Sequence, residues 1–213
     1  MVKMNHLFRP ASLDDIIGQP IQTLRDSMRY PRQGAWLLTG PKGTGKTATT
    51  RIVASMLGCE DEWSGFHHIP CSTLNIEEAK ELFLRQVNYN TVSGWHLIVL
   101  EEMEWLSPQV QRLLKDALDP ETNMPKKLIV MGTSNNISNL DEALVDRFRV
   151  IEYTGNEEFA RSCQEKIRQV WLRTLKSEPP AEYTTWGWRN STFSMRNAVK
   201  CAEDAIQSLL STV

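Results

Sequence analysis

The sequence predicts an α/β domain built on a parallel sheet flanked by helices, followed by a small all-helical unit. Three observations carry this. A short apolar run, Trp36-Leu37-Leu38-Thr39, enters the glycine-spaced loop Gly40-Pro41-Lys42-Gly43-Thr44-Gly45-Lys46-Thr47, and a helix-patterned segment leaves it. Two more apolar runs, Leu97–Leu100 and Leu128–Gly132, end in acidic or polar residues, as buried parallel strands do when they deliver side chains to one sheet edge. Beyond Gly155, apolar residues recur at helical spacing.

Taken in order, Phe8-Arg9-Pro10 is extended, because proline biases its predecessor away from helix. Ser12 with Asp14 and Asp15 reads as a helix start, and 16–20 ends it. A second helix is expected over 21–30. This arm either packs across the domain or walls an adenine pocket with its apolar residues. Gly58 stops the helix that follows the glycine loop. Residues 63–66 read as loop and 68–71 as at most a short strand. His67 and His68 have no partner at ligand spacing and read as surface or loop residues, not a metal site. Ile76, Ala79, Leu82, Phe83 and Val87 predict a helix over 76–87.

Trp95 to Glu102 is a buried strand closing on two carboxylates. Ser107-Pro108 occupies the N-cap and N1 positions of a helix with Val110, Leu113, Leu114, Ala117 and Leu118 inward. A polar loop over 120–127 leads to the Leu128 strand, which ends in Thr133-Ser134-Asn135-Asn136. A short helix over 140–145, then Asp146-Arg147-Phe148, then a strand over 149–153 complete a domain assigned to residues 1–154. The second unit, 155–213, has helices over 156–176 and 194–210 joined through a proline-containing linker at 178–181. Trp186 and Trp188 read as core residues.

The chain has 213 residues, 41% of them hydrophobic, which suffices for one packed α/β domain and a smaller appendage. A formal charge of −2 without a basic block excludes a broadly basic nucleic-acid domain, so any such contact is local or built by several subunits. Cys59, Cys71, Cys163 and Cys201 are scattered without a C-x-x-C pair, which reads as reduced thiols in a cytosolic protein, Cys71 and Cys163 in the core. Met1 to His6 shows no apolar leader, and no stretch is long enough to cross a bilayer.

The loop at Gly40–Thr47 matches G-x-x-x-x-G-K-[ST] in full, between a strand and a helix as that motif requires. Its glycines turn backbone N–H groups toward phosphate oxygens, Lys46 can reach the β- and γ-phosphates, and Thr47 can place a hydroxyl on Mg²⁺. A plain glycine turn before a core helix is the alternative. ATP hydrolysis further needs a carboxylate near the metal, which suits Glu101, and one that polarises water, which suits Glu102. Asn135, on the next strand end, can orient that water or serve as a turn residue bonded to its own backbone.

The ordered set resembles an AAA+ ATPase, and within that superfamily the clamp loader ATPase subunits of the bacterial DNA polymerase III gamma/tau type or of phages. Phe8-Arg9-Pro10 through Ile17-Gly18-Gln19 looks like the adenine-side motif, Gly40 to Thr47 like Walker A, and Leu97 to Glu102 like Walker B. Thr133-Ser134-Asn135 looks like sensor 1, and Ser194-Met195-Arg196-Asn197-Ala198 resembles sensor 2 of the lid. Asp146-Arg147-Phe148 falls where clamp loaders carry Ser-Arg-Cys, whose arginine acts on the next subunit's nucleotide. The resemblance implies ATP/ADP with Mg²⁺, held by Arg9, Pro10, Ile17, Gly40, Pro41, Lys42, Gly43, Thr44, Gly45, Lys46, Thr47, Ala48 and Arg196, with Thr47 and Glu101 on the metal. It implies catalysis by Glu102, Lys46, Asn135 and Arg147.

The resemblance also implies a pentamer-like homo- or hetero-oligomer of AAA+ subunits, a sliding clamp and primed DNA as partners, and a cytoplasmic setting, the host's for a phage protein. Four departures stand out. Glu101 replaces the family's Asp, and Asp-Arg-Phe replaces Ser-Arg-Cys. No collar domain follows the lid, and the zinc-binding cysteines of bacterial clamp loader subunits are missing. Asp-Arg-Phe also occurs in Holliday-junction branch-migration motors, so a DNA motor of that type is one alternative. A catalytically weak nucleotide-binding scaffold is another. Arg147 could instead pair with Asp146 or another surface acid, and Arg196 could be an exposed helix residue. Arg112 and Lys115 could face DNA in a ring or form a solvated face.

Overall fold

Five parallel strands form the spine of the molecule, in a computed structural model that describes residues 8–119, 121 and 124–211. The expectations placed on Met1–His6 and on Pro120 lie outside the described residues. The strands are β1 (Gly34–Thr39), β2 (Phe66–Pro70), β3 (His96–Glu101), β4 (Leu128–Ser134) and β5 (Arg149–Glu152), in the spatial order β2-β3-β4-β1-β5. Alternate residues of the strands feed two cores. Leu37, Ile98, Leu100 and Val130 face one helical layer. Trp36, Leu38, Leu97, Val99, Ile129 and Met131 face the other. Burial on both faces is why these strands read as continuous apolar runs without polar alternation.

The helices are α1 (Gln22–Arg29), α2 (Lys46–Leu57), α3 (Ile76–Lys80), α4 (Pro108–Ala117) and α5 (Glu142–Val145), then α6 (Glu157–Leu175) and α7 (Met195–Ser211) in the lid. Gly58 adopts the left-handed conformation that ends α2. Ser107 accepts the Val110 N–H, with Pro108 at the first helical position of α4. Leu13–Asp15 is one 3₁₀ turn with a capping box between Ser12 and Asp15. Among the described residues no helix is long and apolar enough to cross a membrane.

Three local differences from expectation have physical causes. Strand β2 begins at Phe66, inside the expected loop, because in-register pairing with Leu97–Glu101 of β3 supplies its hydrogen bonds. The helix expected over 76–87 changes pitch: α3 gives way to a π turn at Glu81–Arg85 and a 3₁₀ turn at Gln86–Asn88. The altered pitch goes with Leu82, Phe83 and Val87 all being buried in the core that α4 shares. The lid is helical with one addition, an antiparallel hairpin of β6 (Trp188–Arg189) and β7 (Thr192–Phe193) between its helices. Its turn residues Asn190 and Ser191 both have positive φ, at 45° and 61°. A serine where glycine is usual hid this turn from sequence reading.

The lid core is built from Phe159, Cys163, Ile167, Phe193, Ala198 and Ala202, with Trp186 and Trp188 packed against it. Phe8 joins the same core, so the N-terminal arm is anchored on the lid. The arm is also tied to the strand-to-lid junction: the Gln19 amide donates to the Thr154 carbonyl and accepts the Thr154 N–H, each at 2.9 Å.

Candidate active site

Strands β1 and β4 are neighbours in a register that pairs Thr39 with Ser134. Their exits therefore lie side by side: the glycine loop leaves β1 where Asn135 leaves β4. One strand further, β3 ends at Glu101. This is the carboxyl edge of a parallel sheet at the point where its strand order reverses, the usual place for a ligand crevice in such folds. At Gly40, φ 129°, the chain bends so closely that a Cβ would run into the Tyr153 carbonyl. Helix α2 then starts at Lys46 with no side chain capping its N-terminus, which leaves backbone N–H groups for an anion.

Lys46 is 8% exposed. Its ammonium donates to the carbonyls of Gly40 (2.5 Å) and Pro41 (2.8 Å) and to Asn135 Oδ1 (3.2 Å). Among the described residues no carboxylate lies within ion-pairing range of it. Burial pulls its pKa down to about 8; Glu104 pushes the other way, and Arg196 and Lys42 add to the lowering. A buried cation solvated only by neutral oxygens suits a polyphosphate, whose oxygens would replace those carbonyls.

Thr47 Oγ1 donates to Glu101 Oε1 at 3.3 Å, and Glu101 Oε2 lies 3.1 Å from His68 Nε2. Among the described residues no three His, Cys, Asp or Glu side chains are grouped to hold a metal. The Thr47–Glu101 oxygen pair instead fits Mg²⁺, which keeps several waters and takes one or two protein oxygens beside substrate phosphates. The longer Glu101 side chain still reaches Thr47, braced by His68 from β2. That places His68 in a strand and in contact with the site; its neighbour His67 stacks on His96 at 5.7 Å.

Glu102 lies just past the strand in the left-handed conformation, φ 59° and ψ 57°. Its N–H reaches Thr133 Oγ1 at 3.3 Å and its carboxylate lies 3.9 Å from Lys42 Nζ, near the loop. Asn135 donates through Nδ2 to Glu104 Oε1 at 2.7 Å, and Ser134 Oγ donates to Glu104 Oε2 at 2.8 Å. Burial acts to raise the Glu104 pKa, but bonds from Ser134, its own N–H and Asn135 outweigh it and hold the carboxyl below its usual value. Sequence reading assigned Glu104 no role. Its signal was a third acid within the stretch from Glu101 to Glu104.

The C-terminal unit meets the loop from the other side. A Cβ at Gly43, φ 81°, would overlap Ser194 and press on Arg196. The Arg196 N–H points at the Gly43 carbonyl at 3.4 Å. A cleft of about 390 Å³ lies between them, lined by Pro41, Lys42, Gly43, Arg189, Thr192, Ser194, Arg196 and Asn197. Arg189, carried by the hairpin, is a third cation there that sequence reading missed. Thr44 closes its own turn through Oγ1 on the Pro41 carbonyl at 2.9 Å. Ala48 packs on the α2-side core. Arg9 is exposed and Pro10 and Ile17 partly buried, on the arm. Arg147 pairs with Asp119 at 3.4 Å, so it does meet a surface acid, though not Asp146. Lys115 is held by Asp141 at 3.1 Å, while Arg112 is exposed.

The profile of the family described as ATPase family associated with various cellular activities (AAA) matches residues 36–156. DNA polymerase III subunit gamma of Buchnera aphidicola is 26% identical over 168 residues, which cover 66% of this chain and 43% of that one. Protein STICHEL-like 2 of Arabidopsis thaliana is 34% identical over 83 residues, 38% of this chain and 9% of that one. The solved structure of the Thermotoga maritima RuvB Holliday junction branch migration motor superposes with a TM-score of 0.71 at 19% identity, covering 97% of this chain and 67% of that one. The chain thus spans less than half the length of these two curated relatives, and the structural likeness establishes the fold.

Proposed function

This chain belongs to the ATPase family associated with various cellular activities, and we propose that it is an ATP-binding and hydrolysing subunit of a clamp loader. In this reading it couples ATP to loading a sliding clamp on primed DNA, in the cytoplasm, within an oligomer of related subunits. The observation that carries the ATPase reading is Lys46: buried, bonded to the loop carbonyls and Asn135, and followed by Thr47, whose hydroxyl meets Glu101. The likeness to DNA polymerase III subunit gamma over 66% of the chain supports the replication setting.

In this reading the labour is divided as follows. Residues 1–154 supply the loop and acids, and 155–213 the lid. Gly40–Thr47 and the start of α2 at Ala48 hold phosphate through backbone N–H groups, and Lys46 binds β- and γ-oxygens. Thr47 and Glu101 hold Mg²⁺. The metal, when bound, neutralises charge on the phosphates. Glu102 polarises the attacking water and Asn135 orients it. Arg196 couples the γ-phosphate to the lid, and the arm with Arg9, Pro10 and Ile17 borders the adenine. Arg147 completes the site of a neighbouring subunit.

The test is steady-state ATP turnover with and without sliding clamp and primed DNA. Stimulation by both together, lost in Lys46→Ala, is the expected result. A second reading, a motor on branched DNA, draws on the RuvB-like fold and on Asp146-Arg147-Phe148. ATP-driven movement of a four-way junction with no response to a clamp would replace the first reading with the second.

A further inference from the structure

We propose that Glu104 is a positioning residue that locks the Asn135 amide with its oxygen toward the phosphate side, so that Asn135 meets the attacking water as a hydrogen-bond acceptor. The inference rests on the reading of the site as an ATPase. It starts from the two neighbours of one side chain. Asn135 Nδ2 lies 2.7 Å from Glu104 Oε1, and Asn135 Oδ1 lies 3.2 Å from Lys46 Nζ. An ionised carboxylate only accepts and an ammonium only donates, so the amide has one orientation that satisfies both. The reverse orientation would set oxygen against carboxylate and N–H against ammonium.

Glu104 is itself held in place. The Ser134 hydroxyl lies 2.8 Å from both Glu104 Oε2 and the Asn136 carbonyl and shares its one proton between them, and the Asn135 N–H points between both Glu104 oxygens at 3.3 Å. The 3₁₀ turn Met103–Trp105 that carries Glu104 is pinned by wholly buried Met103, whose sulfur fills the space a Cβ at Gly132 would need. Glu104 is thereby tied to the exit of β4 from two sides. Once Lys46 is engaged with phosphate, Asn135 Oδ1 is released toward the same region with its orientation unchanged. A water there gives one hydrogen to Asn135 and another to Glu102, which turns its lone pair on the γ-phosphorus. As the new P–O bond forms, the β–γ bridging oxygen leaves with its electron pair. One water proton passes to Glu102 and the other stays on the phosphate oxygen.

The test compares Asn135→Asp with the double variant Glu104→Gln/Asn135→Asp, alongside Glu104→Ala. In Asn135→Asp alone, two carboxylates face each other. In the double variant the glutamine amide at position 104 can donate through its nitrogen to the aspartate at position 135. Its oxygen still accepts from Ser134, so a carboxylate oxygen at position 135 again faces Lys46. Both variants carry that carboxylate near Lys46, so any loss of ATP affinity it causes is common to them. The expected result is a kcat at saturating ATP at least tenfold higher in the double variant than in Asn135→Asp. Glu104→Ala is expected to lose at least tenfold in kcat with ATP affinity within about threefold of wild type. Equal kcat in Asn135→Asp with and without the Glu104→Gln change overturns the proposal. Independently of turnover, ¹⁵N–¹H spectra of the wild type should show one Asn135 side-chain amide proton shifted downfield, and the shift should vanish in Glu104→Ala. An unshifted amide in the wild type overturns the orientation. A wild type with the shifted amide but no ATP hydrolysis refutes the enzymatic reading and leaves the orientation standing.

Discussion

Lys46 sets the electrostatics of the site, and its charge is costly until an anion shares it. Burial holds its pKa at about 8, below the ordinary 10.5. Because the folded value lies below the unfolded one, the unfolded chain binds more protons between them, so this residue's contribution to stability rises as pH climbs from about 8 toward 10.5. Phosphate favours the charged form, so ATP binding should draw protons from solution: at pH 8, on the order of half a proton per site. Titrations in buffers of different ionisation enthalpy measure this, and zero uptake or proton release would contradict it. Glu102 carries a different strain. A non-glycine residue at φ 59° costs roughly 1–2 kcal/mol. Glu102→Gly should therefore be at least as stable as wild type in urea unfolding, with a gain of up to ~1 kcal/mol after the added freedom of the unfolded chain is counted. It should not turn over ATP. A loss above ~1 kcal/mol would show that the bend is unstrained.

At the scale of elements, β1, α2, β3, α4 and β4 were legible because each pairs a strong apolar pattern with a boundary signal: the glycine loop, Gly58, the paired acids, Ser107-Pro108 at the start of α4, and the polar run from Thr133 to Asn136. The hairpin was not legible, because its turn is Asn190-Ser191 and its strands are two residues each. Nor was the π turn in the 76–87 segment, since a change of pitch leaves the apolar spacing nearly unaltered. The site divides the same way. Lys46, Thr47, Glu101 and Glu102 come from contiguous motifs. Glu104 and His68 become site residues only through the register of β2, β3 and β4, and Arg189 only through the hairpin. At Gly43 the loop packs against Ser194 and Arg196, so element packing is predicted to govern binding there. Gly43→Ala would press on Ser194 and Arg196 and impose a left-handed alanine, pushing the lid from the loop. ATP affinity should fall by about tenfold or more, ~1.4 kcal/mol, and Ser194→Gly should restore part of it. Affinity unchanged in Gly43→Ala, by fluorescence-monitored titration, would mean that the lid does not close there.

For the whole molecule, the question is where Arg147 acts. It sits in the turn between α5 and β5 with Asp119 as its partner, and not in the cleft beside the loop. An arginine serving a neighbouring subunit predicts complementation. Arg147→Ala and Glu102→Gln proteins should each be nearly inactive alone and regain turnover when mixed, because some junctions then pair an intact arginine with an intact carboxylate. A mixture no more active than its parts would confine Arg147 to its surface ion pair. The arm and the lid are also joined in this architecture: Phe8 belongs to the lid core while Gln19 clamps Thr154.

The most direct measurement is calorimetric titration of MgATP into the wild-type protein and into Lys46→Ala, both shown to be folded by their unfolding transitions. Saturable binding of one nucleotide per chain, weakened at least a hundredfold, ~2.7 kcal/mol, in Lys46→Ala, is the predicted result. Folded wild-type protein that takes up no nucleotide with magnesium present, or that binds it equally well without Lys46, would contradict the assignment of the glycine loop as a triphosphate grip.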